Sequence, residues 1–334
     1  MSALLEVRGL SKEFPVGGAL RRGRLHAVDD VSFALTPGRV TALAGESGSG
    51  KSTIARLLVR LYAPTSGSVL YEGRDVARDR RRRDVLRYRS QVQMIFQDPF
   101  GSLNPAKTVR HHLARPLRIH GLRGADVDAR VHELLETVGL VPVRHVAEKY
   151  PHELSGGQRQ RVGIARALAV GPRVVIADEP ISMLDVSIRV GILNLIRDLK
   201  DEFGIAFLYV THDLASARYV ADDILVMYAG QVVEQGPVDQ VLESPLHPYT
   251  RLLISSVPDH ERGIERIEIR KGSASAAVDP APGCRFADRC PLVVDLCRRV
   301  TPELVEAGPA QSARCHVTAP SSTHREDVHA EPTA

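Results

Sequence analysis

The run VTALA (residues 40–44) leads straight into GESGSGKS (45–52), and TIARLLVRLY (53–62) follows with helical apolar spacing. A buried strand, a glycine-rich turn and a helix in immediate succession admit few folds. The order suits a parallel α/β sheet, in which the turn after a strand faces a ligand. Gly45 to Ser52 reads G-x-x-x-x-G-K-S, the pattern of a phosphate cradle. Gly45, Gly48 and Gly50 let backbone N–H groups approach phosphate oxygens with no Cβ in the way. The helix start adds partial positive charge. Lys51 has the reach for β- and γ-phosphates, and the Ser52 hydroxyl can ligate Mg²⁺. Glu46, Ser47, Ser49 and Thr53 belong to the same nucleotide-contacting stretch.

Composition fits a soluble globular protein. The 334 residues are 43% hydrophobic and 25% charged, with room for one large domain and a smaller one. No apolar run approaches the roughly 18 residues of a membrane span. The N-terminal MSALLEVRGL lacks the basic-then-apolar pattern of a secretory signal, so a cytoplasmic protein is expected. A net charge of +4 gives no argument for nucleic acid. The one dense basic tract, RDRRRRD (Arg78–Asp84), has no aromatic interleaving and reads as a solvated face or loop.

A phosphate cradle alone leaves several classes of nucleotide enzyme open. In RVVIADEP (173–180), Asp178 and Glu179 end an apolar strand, where α/β sheets place ligands. Two adjacent carboxylates on a buried strand need a cation or a water to justify them. Asp178 suits the Mg²⁺ side, and Glu179 suits orienting or deprotonating an attacking water. The only asparagines, Asn104 and Asn194, lie outside any N-K-x-D motif, which disfavours guanine. LSGGQRQR (154–161) then opens the helical pattern VGIARALAV, a second anion-binding helix start. One nucleotide needs no second phosphate loop from the same chain. A capped helix accounts for Ser155 but leaves Gln158 and the arginines after it without a role.

At this point the sequence resembles the ABC ATPase family, whose signature motif is LSGGQ. The resemblance implies an α/β fold: a P-loop NTPase core with antiparallel β and helical subdomains. It also implies head-to-tail dimers, each ATP lying between one subunit's P-loop and the other's Ser155, Gly156, Gly157 and Gln158. The remaining motifs occur in order. Gln97, in MIFQDPFGSLNP, matches the Q-loop, which senses Mg²⁺ and couples to the membrane partner. SMLD (Ser182–Asp185) matches the D-loop, with Asp185 toward the opposite subunit and Met183 where Ala is usual. His212, in THD, matches the H-loop, where the histidine contacts the γ-phosphate. Glu179 and His212 are thus the implied catalytic residues, with Ser52, Gln97 and Asp178 around Mg²⁺. Phe14, in SKEFPV, is the aromatic best placed to stack on adenine, in a segment that reads as irregular up to His26.

Strand-rich parts cover 4–97 and 173–236. Between them KTVRHHLARPLRIH and DVDARVHELLETVGL have helical apolar spacing, which resembles the family's helical subdomain at about 98–172. His111, His112 and His145 have no partners at ligand spacing and read as structural. FQDPFGSLNP, AVDDVSF, PHELSGGQRQR and SPLHPYTRLL are similar to the ATPases of bacterial oligopeptide and dipeptide importers. The implied system contains a second, non-identical ATPase, two transmembrane permease subunits and an extracytoplasmic binding protein. This chain would then be peripheral, at the cytoplasmic face of the membrane. Nickel importers share these motifs and remain an alternative. A non-transport ABC ATPase is less well matched, because the chain has one P-loop, one LSGGQ and no sustained heptads.

The expected division is a nucleotide-binding domain over 1–256, an extension over 257–320 and a disordered polar tail over 321–334. ERGIERIEIRKGSASAAVDPAPG reads as a short strand and a linker. All four cysteines, Cys284, Cys290, Cys297 and Cys315, lie in the extension, spaced C-x5-C-x6-C-x17-C. A reducing compartment argues against disulfides, and zinc sites usually have closer pairs. Four thiolates suit a [4Fe–4S] cluster. C-R-F-x3-C-P resembles the C-terminal extension of the peptide-importer ATPases, some of which carry such a cluster. Reduced, unliganded thiols are the other reading.

Overall fold

The computed structural model describes residues 3–17, 23–79, 81–256 and 278–320. Among them, two sheets account for all the strands. In the smaller, antiparallel sheet, β1 (Leu5–Val16) pairs with β2 (Gly23–Leu35) and with β4 (Ser66–Tyr71), and β5 (Arg74–Asp75) lies beyond β4. The larger sheet has five parallel strands: β9 (Asp223–Tyr228), β3 (Val40–Ala44), β8 (Ala206–Thr211), β7 (Val174–Asp178) and β6 (Val92–Ile95). Three antiparallel strands continue it past β9: β10 (Gln231–Pro237), β12 (Gln311–Ala313) and β11 (Val305–Gly308).

The parallel strands are apolar along their whole length because both faces are covered. Their side chains alternate between two cores. Val40, Ala42, Val175, Ala177, Phe207 and Tyr209 face one; Leu43, Val174, Ile176, Leu208 and Val210 face the other. The first core is shared with a helical lobe inserted between β6 and β7. The second is closed by the antiparallel sheet and by α1 (Lys51–Leu58).

α2 (Arg82–Gln91) precedes β6. The lobe consists of α3 (Pro99–Ser102), α4 (Val109–Ile119), α5 (Ala125–Thr137), α6 (Val143–Glu148) and α7 (Gly156–Leu168). On α4, Val109, Leu113, Ala114 and Leu117 form one buried stripe, and Thr108 caps its start by accepting from His111 N–H. α8 (Val186–Phe203) connects β7 to β8 and ends at Gly204, whose φ of 64° suits a helix C-terminus. α9 (Leu214–Val220), α10 (Val238–Glu243), α11 (Pro248–Ser255) and α12 (Asp295–Arg299) complete the order.

Two expectations change. The described residues around Phe14 are not irregular: Phe14 pairs with Leu25 and Glu13 with His26 in the β1–β2 ladder. Register shifts between Leu10 and Glu13 break the apolar alternation by which a strand is recognised. α1 stops at Leu58 rather than running to Tyr62. Arg60 adopts a left-handed φ of 57°, and the Leu61 N–H turns back to the Arg56 carbonyl. Most of the expected strand-and-linker stretch and the whole polar tail lie outside the described residues. No described helix is long and apolar enough to cross a membrane.

Candidate functional site

β3 ends at Ala44, and the chain passes through the 45–50 loop into α1. Two of its glycines are dictated by packing. A Cβ on Gly45 would stand 2.2 Å from the Met227 carbonyl oxygen, and one on Gly50 would stand 2.1 Å from that of Ala27. Both positions also have positive φ, 151° and 106°. Gly50 is the N-cap of α1 and offers no side-chain acceptor, so the first amides of the helix stay open to an anion. Lys51, 5% exposed, donates to the carbonyls of Gly45 (2.7 Å) and Glu46 (2.8 Å). Burial pulls its ammonium below the usual pKa, against the attraction of Glu179, Asp178 and Glu46.

Two contacts join this loop to the ends of neighbouring strands. Ser52 Oγ donates to Asp178 Oδ1 at 3.1 Å. Burial pushes the Asp178 carboxyl up, and the Ser52 hydrogen bond opposes that. Glu179, the next residue, has a left-handed φ of 46°, an uncommon backbone for glutamate costing about 1–3 kcal/mol. It aims the carboxylate at two partners. Gln97 Nε2 donates to Glu179 Oε2 at 3.0 Å, and His212 Nδ1 is 3.4 Å from Glu179 Oε1.

A cleft of about 680 Å³ lies over these groups. Phe14, Glu46, Ser47, Gly48, Lys51, Ser52, Thr53, Gln97, Glu179 and His212 line it, with Leu25, Ala27 and Leu253. Ser49 lies beneath the loop, fully buried, its carbonyl accepting from Gly230 N–H. Asp178 opens instead on an adjoining cavity of about 670 Å³, shared with Gln97, Phe96 and Arg166. Ser155, Gly156, Gly157, Gln158 and Asp185 do not line the nucleotide-sized cleft. The geometry offers an anion cradle, a hard-oxygen pair and a carboxylate held between an amide and an imidazole.

The model of the ABC transporter family matches residues 28–182, and that of the oligopeptide/dipeptide transporter C-terminal region matches 233–297. The oligopeptide transport ATP-binding protein AppF of Bacillus subtilis (strain 168) is 43% identical over 324 residues, covering 94% of this chain and 97% of that protein. This chain belongs to the ABC ATPases. OppF, another oligopeptide transport ATP-binding protein of that strain, is 48% identical over 270 residues, 80% of this chain and 87% of its own. The dimeric cassette MJ0796, a bacterial ABC transporter cassette, superposes with a TM-score of 0.61 at 30% identity, covering 70% of this chain and 98% of the cassette.

Within this ABC ATPase the signature stretch is a closed helix cap. Ser155 Oγ accepts from Gln158 N–H at 3.2 Å, and Gln158 Oε1 accepts from Ser155 N–H at 3.1 Å. Arg159 Nε donates to the Leu154 carbonyl at 3.1 Å, and Arg161 to that of Val138. Capping and local bracing therefore account for Gln158 and these arginines, contrary to the expectation that a capped helix leaves them unexplained. The contacts that sequence reasoning missed come from the far end of the chain. The Tyr249 hydroxyl oxygen accepts from Glu46 N–H, and Arg289 pairs with the Glu46 carboxylate. HPYT and CRFADRC were visible as motifs, but nothing in them points to the loop.

None of the four cysteines of this ABC ATPase is in a disulfide, and Cys297 and Cys315 are buried. Burial pushes Cys284 up to about 12 and Cys290 to about 11, and raises Cys297. Charge repulsion adds to this: Cys290, Cys297 and Cys315 oppose ionisation of Cys284, Cys297 and Cys315 oppose that of Cys290, and Cys315 opposes that of Cys297. Among the described residues, no three His, Cys, Asp or Glu side chains form a ligand group for a single metal ion.

Proposed function

We propose that this chain is the ATP-hydrolysing subunit of a membrane importer for oligopeptides or dipeptides, acting at the cytoplasmic face. The observation that carries the reading is the convergence of Lys51, Ser52 with Asp178, and Glu179 between Gln97 and His212. ATP binds with its phosphates over residues 45–53, and Lys51 exchanges carbonyl acceptors for phosphate oxygens. Phe14, braced edge-on by Tyr62 at 5.4 Å, provides an adenine platform. The Ser52–Asp178 pair, with Gln97, suits Mg²⁺, which prefers oxygen ligands. When bound, Mg²⁺ neutralises charge on the phosphate oxygens. Glu179 positions a water and accepts its proton; Gln97 and His212 hold that carboxylate, and His212 steadies the γ-phosphate.

The signature stretch of this chain serves the ATP of a second, non-identical ABC ATPase, with Asp185 at the seam. Met183, Val186 and Val190, at 54%, 75% and 50% exposure, provide apolar surface around it. The Gln97 cavity receives one of two permease subunits, and an extracytoplasmic protein delivers the peptide. Nucleic acid has no part in this scheme. A Glu179→Gln chain should bind ATP as the parent does and lose turnover about 10²–10⁴-fold. Parental turnover in that variant would sink the assignment.

We infer that residues 1–256 form the nucleotide-binding domain and 257–320 an extension whose Cys284, Cys290, Cys297 and Cys315 hold a [4Fe–4S] cluster. Two buried and two part-buried thiols, close enough for their charges to oppose ionisation, suit a cationic group. A cluster gives each thiolate its own iron, so its ligands stand wider apart than those of a single ion. Such a group would supply cross-linking of a small segment, holding its thiols deprotonated. Anaerobic purification tests this, and a colourless, iron-free protein refutes it.

A further inference from the structure

Glu46, the residue after Gly45, is held from several directions. Its N–H donates to Tyr249 Oη at 2.9 Å, and its carbonyl accepts from Lys51 Nζ at 2.8 Å. Its carboxylate faces the guanidinium fork of Arg289, Nη2 to Oε1 at 3.2 Å and Nη1 to Oε2 at 3.3 Å. We propose that Arg289 and Tyr249 are positioning residues for the phosphate loop, both acting through Glu46. In addition, Arg289 keeps the Glu46 carboxylate from opposing the phosphates of bound nucleotide. The inference rests on the nucleotide reading given above.

Neither partner is free to move. Tyr249 is fully buried, its ring 4.6 Å from Tyr228 and 5.6 Å from Phe286, which are themselves 5.2 Å apart. Its helix is fixed at the start, where His247 Nδ1 accepts from Tyr249 N–H at 3.0 Å. The buried Glu234 carboxylate accepts from the N–H groups of Leu246 and His247. Arg289 lies over the faces of Tyr228 and Phe286, 5.7 and 5.8 Å from their centroids. Arg285, four residues earlier, anchors the same segment to Asp29 and to the Ala229 carbonyl.

The two contacts do different work. Tyr249 fixes the backbone of the loop. Arg289 fixes its charge, because Glu46 lines the cleft and its carboxylate would repel a triphosphate if left alone. Side-chain exposures of 11% for Arg289 and 34% for Glu46 leave solvent only partial screening of that field.

The test is equilibrium binding of a fluorescent ATP analogue with Mg²⁺ to the full chain. Arg289→Gln should raise Kd roughly three- to tenfold, and Arg289→Glu more. Arg289→Lys keeps the charge and should stay near the parent, even where Arg289→Gln folds poorly. Adding Glu46→Gln to Arg289→Gln should restore binding, because the repelling carboxylate is gone; loss of a merely structural brace would not be rescued so. Parental binding by Arg289→Gln and Arg289→Glu, or no rescue by Glu46→Gln, overturns this inference alone. A parent chain that binds no nucleotide overturns the nucleotide reading with it.

Discussion

Two glycine-bearing helix starts in this chain are built in opposite ways. At α1, Gly50 leaves the first amides without a side-chain acceptor, and no acidic residue stands in the first turn. At α7, Ser155 and Gln158 close a reciprocal cap, and the stretch lines no part of the cleft of its own chain. The first is an open donor set, whose glycines are required by neighbouring carbonyls. The second is a rigid corner with its local bonds already made. Similar composition thus covers two geometries; in the proposed function the first receives an anion within the chain, and the second faces a different molecule.

The largest effect should come from emptying the open start. Lys51→Ala should cut ATP turnover by about 10²–10³ and abolish nucleotide binding. Ser155→Ala should lower turnover only in the assembled transporter and leave binding to the isolated chain intact. Equal loss of binding in both would break the comparison. Gly50→Ala comes next: with a Cβ 2.1 Å from the Ala27 carbonyl, it should destabilise the fold by about 3 kcal/mol in denaturant unfolding.

The frame beneath the open start should also be the acid-labile one. His247, 1% exposed and near Arg251, is lowered by burial to about 3. An unfolded histidine titrates at about 6.5, so between these values the unfolded chain binds the extra proton. Stability should therefore hold above pH 6.5 and fall as pH drops, by about 2 kcal/mol at pH 5 from this group alone. A His247→Gln chain, compared over the same range, should show a flatter profile. At the closed start, Ser155→Ala should cost about 1 kcal/mol of stability through the lost cap. Gly156→Ala should cost under about 0.5 kcal/mol, since its Cβ would meet only Leu184 Cδ2, at 3.6 Å. A large loss there would show that α7 is as tightly packed as α1.

The legible parts of the site are those written within a few residues. Lys51, Asp178, Glu179 and His212 each follow an apolar strand, and the α/β arrangement brings such strand ends together. α8 is legible in the sequence, because apolar residues recur at helical spacing from Ile188 to Leu199, ahead of Gly204. β1 and β2 were obscured by their bulges, and the end of α1 by a single left-handed arginine. The contacts of Glu46 were not readable. Tyr249 is 203 positions away and Arg289 is 243, and no local period announces a pairing of that kind. Gln158 shows the converse: its motif is plain, while its hydrogen bond back to Ser155 depends on how the loop folds.

One feature of the large sheet bears on how the protein behaves in a tube. β12 covers the flank of β10, pairing Ala313 with Glu234 and Ser312 with Gln235. The outermost strand, β11, is only four residues long and carries the exposed Glu306. Such a rim gives a neighbouring strand little to zip onto. Cut before Val278, the same chain would present bare β10 hydrogen-bonding groups to its own copies. Turbidity on standing is the expected first symptom, because the last described strands cover an edge that would otherwise be bare.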